Sequence, residues 1–202
     1  MARPAKIEES ALLKKLSDVF RDVGYEGASL AMLSEATGLK KASLYHRFPG
    51  GKEQMACEVM THAESWLTER ILTPLKSSDP PQARTHAMIR NLDTFYCGGR
   101  QACLLNMMSS PRAERGPFTA LIKKAFKAWT DALANVLTDA KLDEETARFR
   151  AERAIALLQG SLVVARGTGS TRPFRNCLTH LEQELLAPPP STPRSNPSIA
   201  AS

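Results

Sequence analysis

Apolar residues recur every three or four positions through most of this chain, and glycine or proline closes most of the runs. That period belongs to one face of an α-helix, so it excludes folds built on alternating strands. Leu12, Leu16, Val19, Phe20 and Val23 mark a first helix from Ile7 to Val23, ended by Gly24. A short helix fits Leu30 to Thr37, with the Ser29 hydroxyl placed to accept a free backbone N–H at its start. Gly38 breaks the pattern at a position suited to left-handed backbone, and a third short helix fits Lys41 to Phe48 before the Pro49-Gly50-Gly51 turn.

The remainder reads the same way at greater length. Lys52 to Leu72 is a long helix stopped by Pro74, and Ser77 to Pro81 is a polar linker. Gln82 to Tyr96 is the next helix, Ala102 to Met108 a short apolar segment, and Phe118 to Leu137 a helix of more than five turns, about 3.6 residues to a turn. Asp143 to Val164 and Phe174 to Leu186 complete the set. The last stretch gathers Pro188, Pro189, Pro190, Pro193 and Pro197 among Ser, Asn and Ala, a composition that cannot build a core. The expected organisation is all-α: residues 1–51 a three-helix unit, 52–187 a larger helical unit, and 188–202 a disordered tail.

Aromatic residues are only 6% of the 202, which also favours helix over strand. No apolar stretch reaches the roughly 18 to 20 residues needed to cross a bilayer, and the first 30 residues carry acidic groups without a signal-type apolar block. A cytoplasmic protein is expected. Cys57, Cys97, Cys103 and Cys177 form no C-x-x-C pair and are expected as reduced core thiols. The histidines lack the close helical spacing of a metal site, and no cofactor motif is present. The net charge of +6 is a mild sign of an anionic partner.

Two short helices joined at Gly38 have the size and punctuation of a helix-turn-helix, whose second helix lies in the DNA major groove. Spacing alone leaves open a helical hairpin with no nucleic acid near it. The residues presented favour DNA: Lys40, Lys41, Ser43, Tyr45, His46 and Lys52 follow one another with no acidic residue between the first and the last. The competing reading of Tyr45 is a core residue with its hydroxyl at the surface.

The stretch from Leu12 to Met55, above all GASLAMLSEATGLKKASLYHRFPGGKEQM from Gly27, resembles the DNA-binding domain of the TetR family of transcriptional repressors. Ser29, Gly38, Ser43 to His46, Phe48-Pro49 and Lys52-Glu53 stand at the family's spacings. The segment from Cys103 to Met108 and the helix from Leu158 to Arg166 look similar to the LmrA/YxaF-like branch. The resemblance implies that Ser29, Tyr45, His46 and Lys52 hold phosphates, that Lys41 and Ser43 face base edges, and that Leu44 and Phe48 are core. Lys40 stands where a Ser or Thr cap is usual, Ala28 where Thr is frequent and Ala42 where Gly is frequent; the cap should be weaker, with an added phosphate contact from Lys40 in exchange. Lys52 at a helix N-terminus sits where free N–H groups and the dipole already attract phosphate.

Ala154, Gly160 and Ser161 on the Asp143 to Val164 helix permit close approach of another helix. Periodicity does not say whether that partner is internal or a second copy. The resemblance implies a homodimer formed by the last two helices, able to grip two half-sites about 34 to 36 Å apart in operator DNA. It also implies a pocket for a small hydrophobic or aromatic effector, for which Met107, Met108, Phe126 and Trp129 are the expected lining. Gly167 to Ser170 with Arg166 and Arg172 reads as a helix end and turn rather than an anion loop. The competing reading is an all-α carrier or enzyme whose basic strip is only a solvated face, although no paired-carboxylate, phosphate-loop or nucleophile signature supports catalysis.

Overall fold

The computed structural model describes residues 8–109 and 116–187. Its α-helices are α1 (Glu9–Gly27), α2 (Leu30–Thr37), α3 (Lys41–Arg47), α4 (Gly51–Leu67), α5 (Thr73–Leu75), α6 (Pro81–Phe95), α7 (Leu104–Met107), α8 (Thr119–Asp139), α9 (Glu144–Thr168) and α10 (Arg172–Leu186). No strand occurs among the described residues. None of these helices is long and apolar enough to cross a membrane. The proline-rich tail expected at 188–202 lies outside the described residues, as do the first seven residues.

Helix ends follow local chemistry. Gly24 is non-helical at φ 73°, ψ 177°, yet one further turn reaches Gly27, closed by the Ala28 N–H on the Gly24 carbonyl at 3.2 Å. The glycine is needed there twice over. Its dihedrals are nearly closed to other residues, and a Cβ would stand 3.0 Å from the Met107 carbonyl oxygen. Asp143 starts α9 by accepting the Thr146 N–H at 2.8 Å, and Gly169 ends it in the left-handed region. That end lies a turn beyond Val164, where the sequence pattern places it.

Pro74 does not stop the fourth helix. From Thr68 to Leu72 the chain takes a π turn, and helix resumes as α5 through Leu75. Proline has no N–H for the Arg70 carbonyl four residues back. The Asn91 side chain on α6 donates to that carbonyl at 2.6 Å instead, and the Thr73 hydroxyl donates to the Thr68 carbonyl at 2.9 Å. A tertiary donor therefore carries the helix past a residue that local rules would treat as a stop.

Two apolar cores result. The first joins Leu12, Leu16, Phe20, Leu33, Leu44 and Phe48 to Met55, Val59 and Met60 of α4, and to Leu104, Met108 and Phe118 from much later in the chain. The second lies among α6, α8, α9 and α10, with Trp129, Leu133, Leu158 and Phe174 inside it. Leu105 packs against both. Buried Arg84 pins the start of α6 to the second core's edge, donating to the Leu75 carbonyl at 3.2 Å and to Asp139 at 2.7 Å.

The four cysteines are free thiols, but only Cys103 is a core residue. Cys57 and Cys97 are exposed, and Cys177 is half-buried against the second core. The expectation of core thiols therefore fails at Cys57 and Cys97 and holds only partly at Cys177.

Candidate nucleic-acid interface

The helix-turn-helix is held from inside. Ser29 Oγ accepts the Met32 N–H at 3.2 Å to start α2. Gly38 takes φ 72°, ψ 10°, and its N–H returns to the Ser34 carbonyl at 2.9 Å. Two side chains then lock the turn: Thr37 Oγ1 accepts the Leu39 N–H at 3.3 Å, and Ser34 Oγ donates to the Leu39 carbonyl. Lys40 is the first residue of α3's entry and gives it no side-chain cap, as expected of a lysine in a hydroxyl's place. Leu44 and Phe48 are fully buried, so the opposite edge of α3 must face out.

On that outer edge Lys40, Lys41, Ser43, Tyr45 and His46 are all exposed, and Tyr45 retains 46% of its accessible surface. The hydroxyl-at-the-surface, buried-ring reading of Tyr45 does not hold. None of these five side chains has a hydrogen-bond or ion-pair partner among the described residues. Ser29 is exposed beside them, and its cap uses only the oxygen's acceptor role, so its O–H remains a donor.

Lys52 differs. Its ammonium donates to the Tyr25 carbonyl at 2.9 Å and stands 4.5 Å from the Tyr25 ring centroid, half-buried at the start of α4. Two of its three N–H donors remain uncommitted by that bond.

Arg47, inside the same basic strip, is not singled out by its sequence position. It braces α3: Nη2 lies 2.7 Å from Glu9 and 2.9 Å from Glu58, and the guanidinium stacks 4.7 Å from the Phe48 ring centroid. The hydrogen bond to Glu58 raises its pKa further, so the brace is permanently charged. Gln54 completes the brace from the other side, accepting the Gly50 N–H at 2.8 Å and donating to Glu58 at 2.9 Å. These partners are separated by a turn and another helix, so no spacing rule would have found them.

A second candidate site lies between the cores. Trp66, Phe95, Tyr96, Cys103, Leu105 and Trp129 are among the residues around a cavity of about 30 Å³. Trp66 stacks on Phe95 with ring centroids 3.7 Å apart, and Tyr96 meets Phe95 edge-on at 5.0 Å. Burial, then the neighbouring Cys103 thiol, push the Tyr96 hydroxyl well above the ordinary tyrosine pKa. Trp129 is the member of the expected lining found at this cavity; its indole N–H points to Met88 Sδ at 3.5 Å. Met108 is buried in the first core, Met107 approaches α1 and Arg166, and Phe126 is half-buried against the second core. Trp66 comes from α4, whereas Phe95 and Tyr96 close α6, so the aromatic cluster forms only when the two helices pack.

Two family models match separate stretches of the chain. Residues 12–59 match the family model described as bacterial regulatory proteins, tetR family. Residues 81–180 match the model for the C-terminal domain of LmrA/YxaF-like transcriptional regulators. The HTH-type transcriptional regulator LmrA of Bacillus subtilis is 25% identical over 168 residues, covering 81% of this chain and 88% of that one. Among solved structures, a TetR transcriptional regulator from Legionella pneumophila superposes with a TM-score of 0.74 at 21% identity, covering 89% of this chain and 98% of its own. CifR, a TetR family regulator solved as a cysteine mutant complexed with 26-base-pair double-strand operator DNA, has a TM-score of 0.67 at 25% identity, with 92% and 99% covered.

Proposed function

Because the chain belongs to the TetR family of transcriptional regulators, with an LmrA/YxaF-like C-terminal domain, we propose that it represses by gripping a palindromic operator as a homodimer and lets go when a small hydrophobic or aromatic effector binds. The observation that carries the DNA reading is the unpartnered outer edge of α3, from Lys40 to His46, on a helix whose other edge is locked into a core. In this reading Lys41 and Ser43 face base edges, while Ser29, Lys40, Tyr45, His46 and Lys52 hold phosphates. The Arg47 brace fixes the angle at which α3 is presented. Residues 1–51 would serve as the reading unit and 52–187 as the sensing and pairing unit.

Dimerisation through α9 and α10 is supported by apolar exposure. Phe149 keeps 62% of its surface exposed on α9, and Leu157, Val163 and Val164 follow along the same helix. A Cβ on Gly160, among them, would meet nothing within 4 Å, so that face has room for a partner helix. Such a contiguous apolar face is unusual for an unpaired surface. The effector would occupy the cavity between the cores, which must widen to admit it: about 30 Å³ is room for about one water.

Selection of bound fragments from random duplex DNA at about 150 mM salt, near physiological ionic strength, tests the proposal. Enrichment of an inverted repeat with half-sites about one helical turn apart is expected. Recovery of no common sequence would favour the all-helical carrier instead.

A further inference from the structure

Arg21 is an oddity in the first core. It lies on α1 with 5% of its surface exposed, yet among the described residues no carboxylate forms an ion pair with it. Its Nε donates to Ser17 Oγ at 3.3 Å, one terminal nitrogen donates to the Ala102 carbonyl, and the guanidinium sits 4.8 Å from the Phe95 ring centroid. Asp18, three residues earlier on α1, is occupied by Gln101 at 3.3 Å and Lys14 at 2.8 Å. Burying an unpaired cation costs free energy that an apolar side chain would not. What the guanidinium adds is a rigid planar fork that engages a carbonyl and a ring face together.

Besides Ser17 on its own helix, Arg21 holds one residue of the cavity wall and one that adjoins it. Phe95 lines the cavity directly, and Ala102 immediately precedes Cys103, Leu104 and Leu105, which also line it. Gln101 on Asp18 ties the same loop to the same turn of α1. Gly24 lets α7 come against α1 just beyond. The present cavity is far below the roughly 300 Å³ of even a small ligand site, so an occupant must displace part of its wall, which includes Phe95 with its Trp66 partner and the Cys103–Leu105 segment that follows Ala102. Arg21 grips Phe95 and Ala102. From α1 the path to the recognition helix is short, since Leu16 and Phe20 pack in one core with Leu33, Leu44 and Phe48.

We infer that Arg21 is a positioning residue that transmits displacement of the cavity wall to α1 and so to the DNA-reading helix. The inference rests on the proposed effector cavity, but its test needs no effector. Ala125 of α8 is buried at the cavity, so Ala125→Phe places a ring there as a tethered occupant. Affinity for a duplex recovered by fragment selection is measured for four proteins: the native chain, Ala125→Phe, Arg21→Met, and the double variant. Ala125→Phe is expected to weaken binding by about tenfold or more, within the usual span of allosteric couplings. In the Arg21→Met background the same ring should change affinity by no more than about twofold, the margin within which uncoupled changes add.

Amide hydrogen exchange reads the same coupling without DNA: Ala125→Phe should loosen Ser17 to Val23 of α1 when Arg21 is present and not when it is methionine. Arg21→Lys, which keeps the charge and loses the fork, should behave as the methionine variant does. Equal losses of affinity in both backgrounds, or no loss from the ring in the native background, would overturn the inference. Ala63→Leu, at another lining position on α4, repeats the cycle if Ala125→Phe does not fold. A chain whose DNA affinity ignores added hydrophobic and aromatic compounds, but which passes this cycle, would lose the effector reading and keep the Arg21 coupling.

Discussion

The edge of α3 and the cavity between the cores are opposite solutions to the problem of placing reactive contacts. On α3 the side chains proposed to read DNA are outside, without partners among the described residues, and close together in sequence, while the side chains that anchor the helix are inside. At the cavity the side chains are inside and partnered, and α4, α6, α7 and α8 each supply some of them. An exposed reading edge depends on one helix being aimed correctly, so its failure modes are loss of support or loss of a single contact. A buried cavity depends on packing shared by many elements, so a change anywhere in its wall is felt at a distance.

Breaking the support of α3 should give the largest effect. Phe48→Ala removes a fully buried ring and should cost about 3 to 5 kcal/mol of stability in denaturant titration, with DNA binding lost alongside. Lys41→Ala, on the exposed edge of the same helix, should leave the unfolding midpoint where it was. Equal stability losses for the two would erase the distinction between support and surface.

The contact that joins the two regions comes next. Gly24→Ala forces a backbone nearly closed to alanine and a close approach to the Met107 carbonyl, so a destabilisation of about 1 to 3 kcal/mol is expected by urea titration. An unchanged midpoint would mean that α7 does not need its seat on α1.

Smaller still is the loss of one phosphate contact. Lys52→Ala should lower the slope of log affinity against log salt by about 0.9 while weakening specific and random duplexes alike. An unaltered slope would leave Lys52 only its bond to the Tyr25 carbonyl.

The smallest effect serves as a control remote from both regions. The Thr146 N–H holds the Asp143 carboxylate below its ordinary pKa. Its contribution to folding is therefore present above the unfolded carboxylate pKa and is lost as pH falls through the lower folded value. Asp143→Asn keeps an acceptor at the cap, so the fall of melting temperature between about pH 4 and pH 2 should become shallower. DNA affinity should not move; a change there would tie α9's start to the reading edge.

The two regions also differ in how legible they are from sequence. Ser29, Gly38 and the Leu44–Phe48 spacing announce α2, the turn and α3 because capping, left-handed glycine and helical period are all local. The basic residues of α3 stand together in the chain, so the edge they form can be named from the order of residues alone. Pro74 misleads because the Arg70 carbonyl finds Asn91 on another helix. Arg47 and Arg21 are silent for the same reason: Glu58, Ala102 and Phe95 reach them only through tertiary folding. Of the expected cavity lining, Met107, Met108 and Phe126 lie on other surfaces, because an aromatic or methionine stripe does not say which of two cores it enters.

The most direct test of the reading edge compares Lys41→Ala and Lys52→Ala on a selected duplex and on a random duplex of equal length at one salt concentration. The account predicts that Lys41→Ala loses about 1 to 3 kcal/mol on the selected duplex and little on the random one, while Lys52→Ala loses equally on both. Equal losses on the two duplexes for both variants would contradict the assignment of α3's exposed edge to the bases.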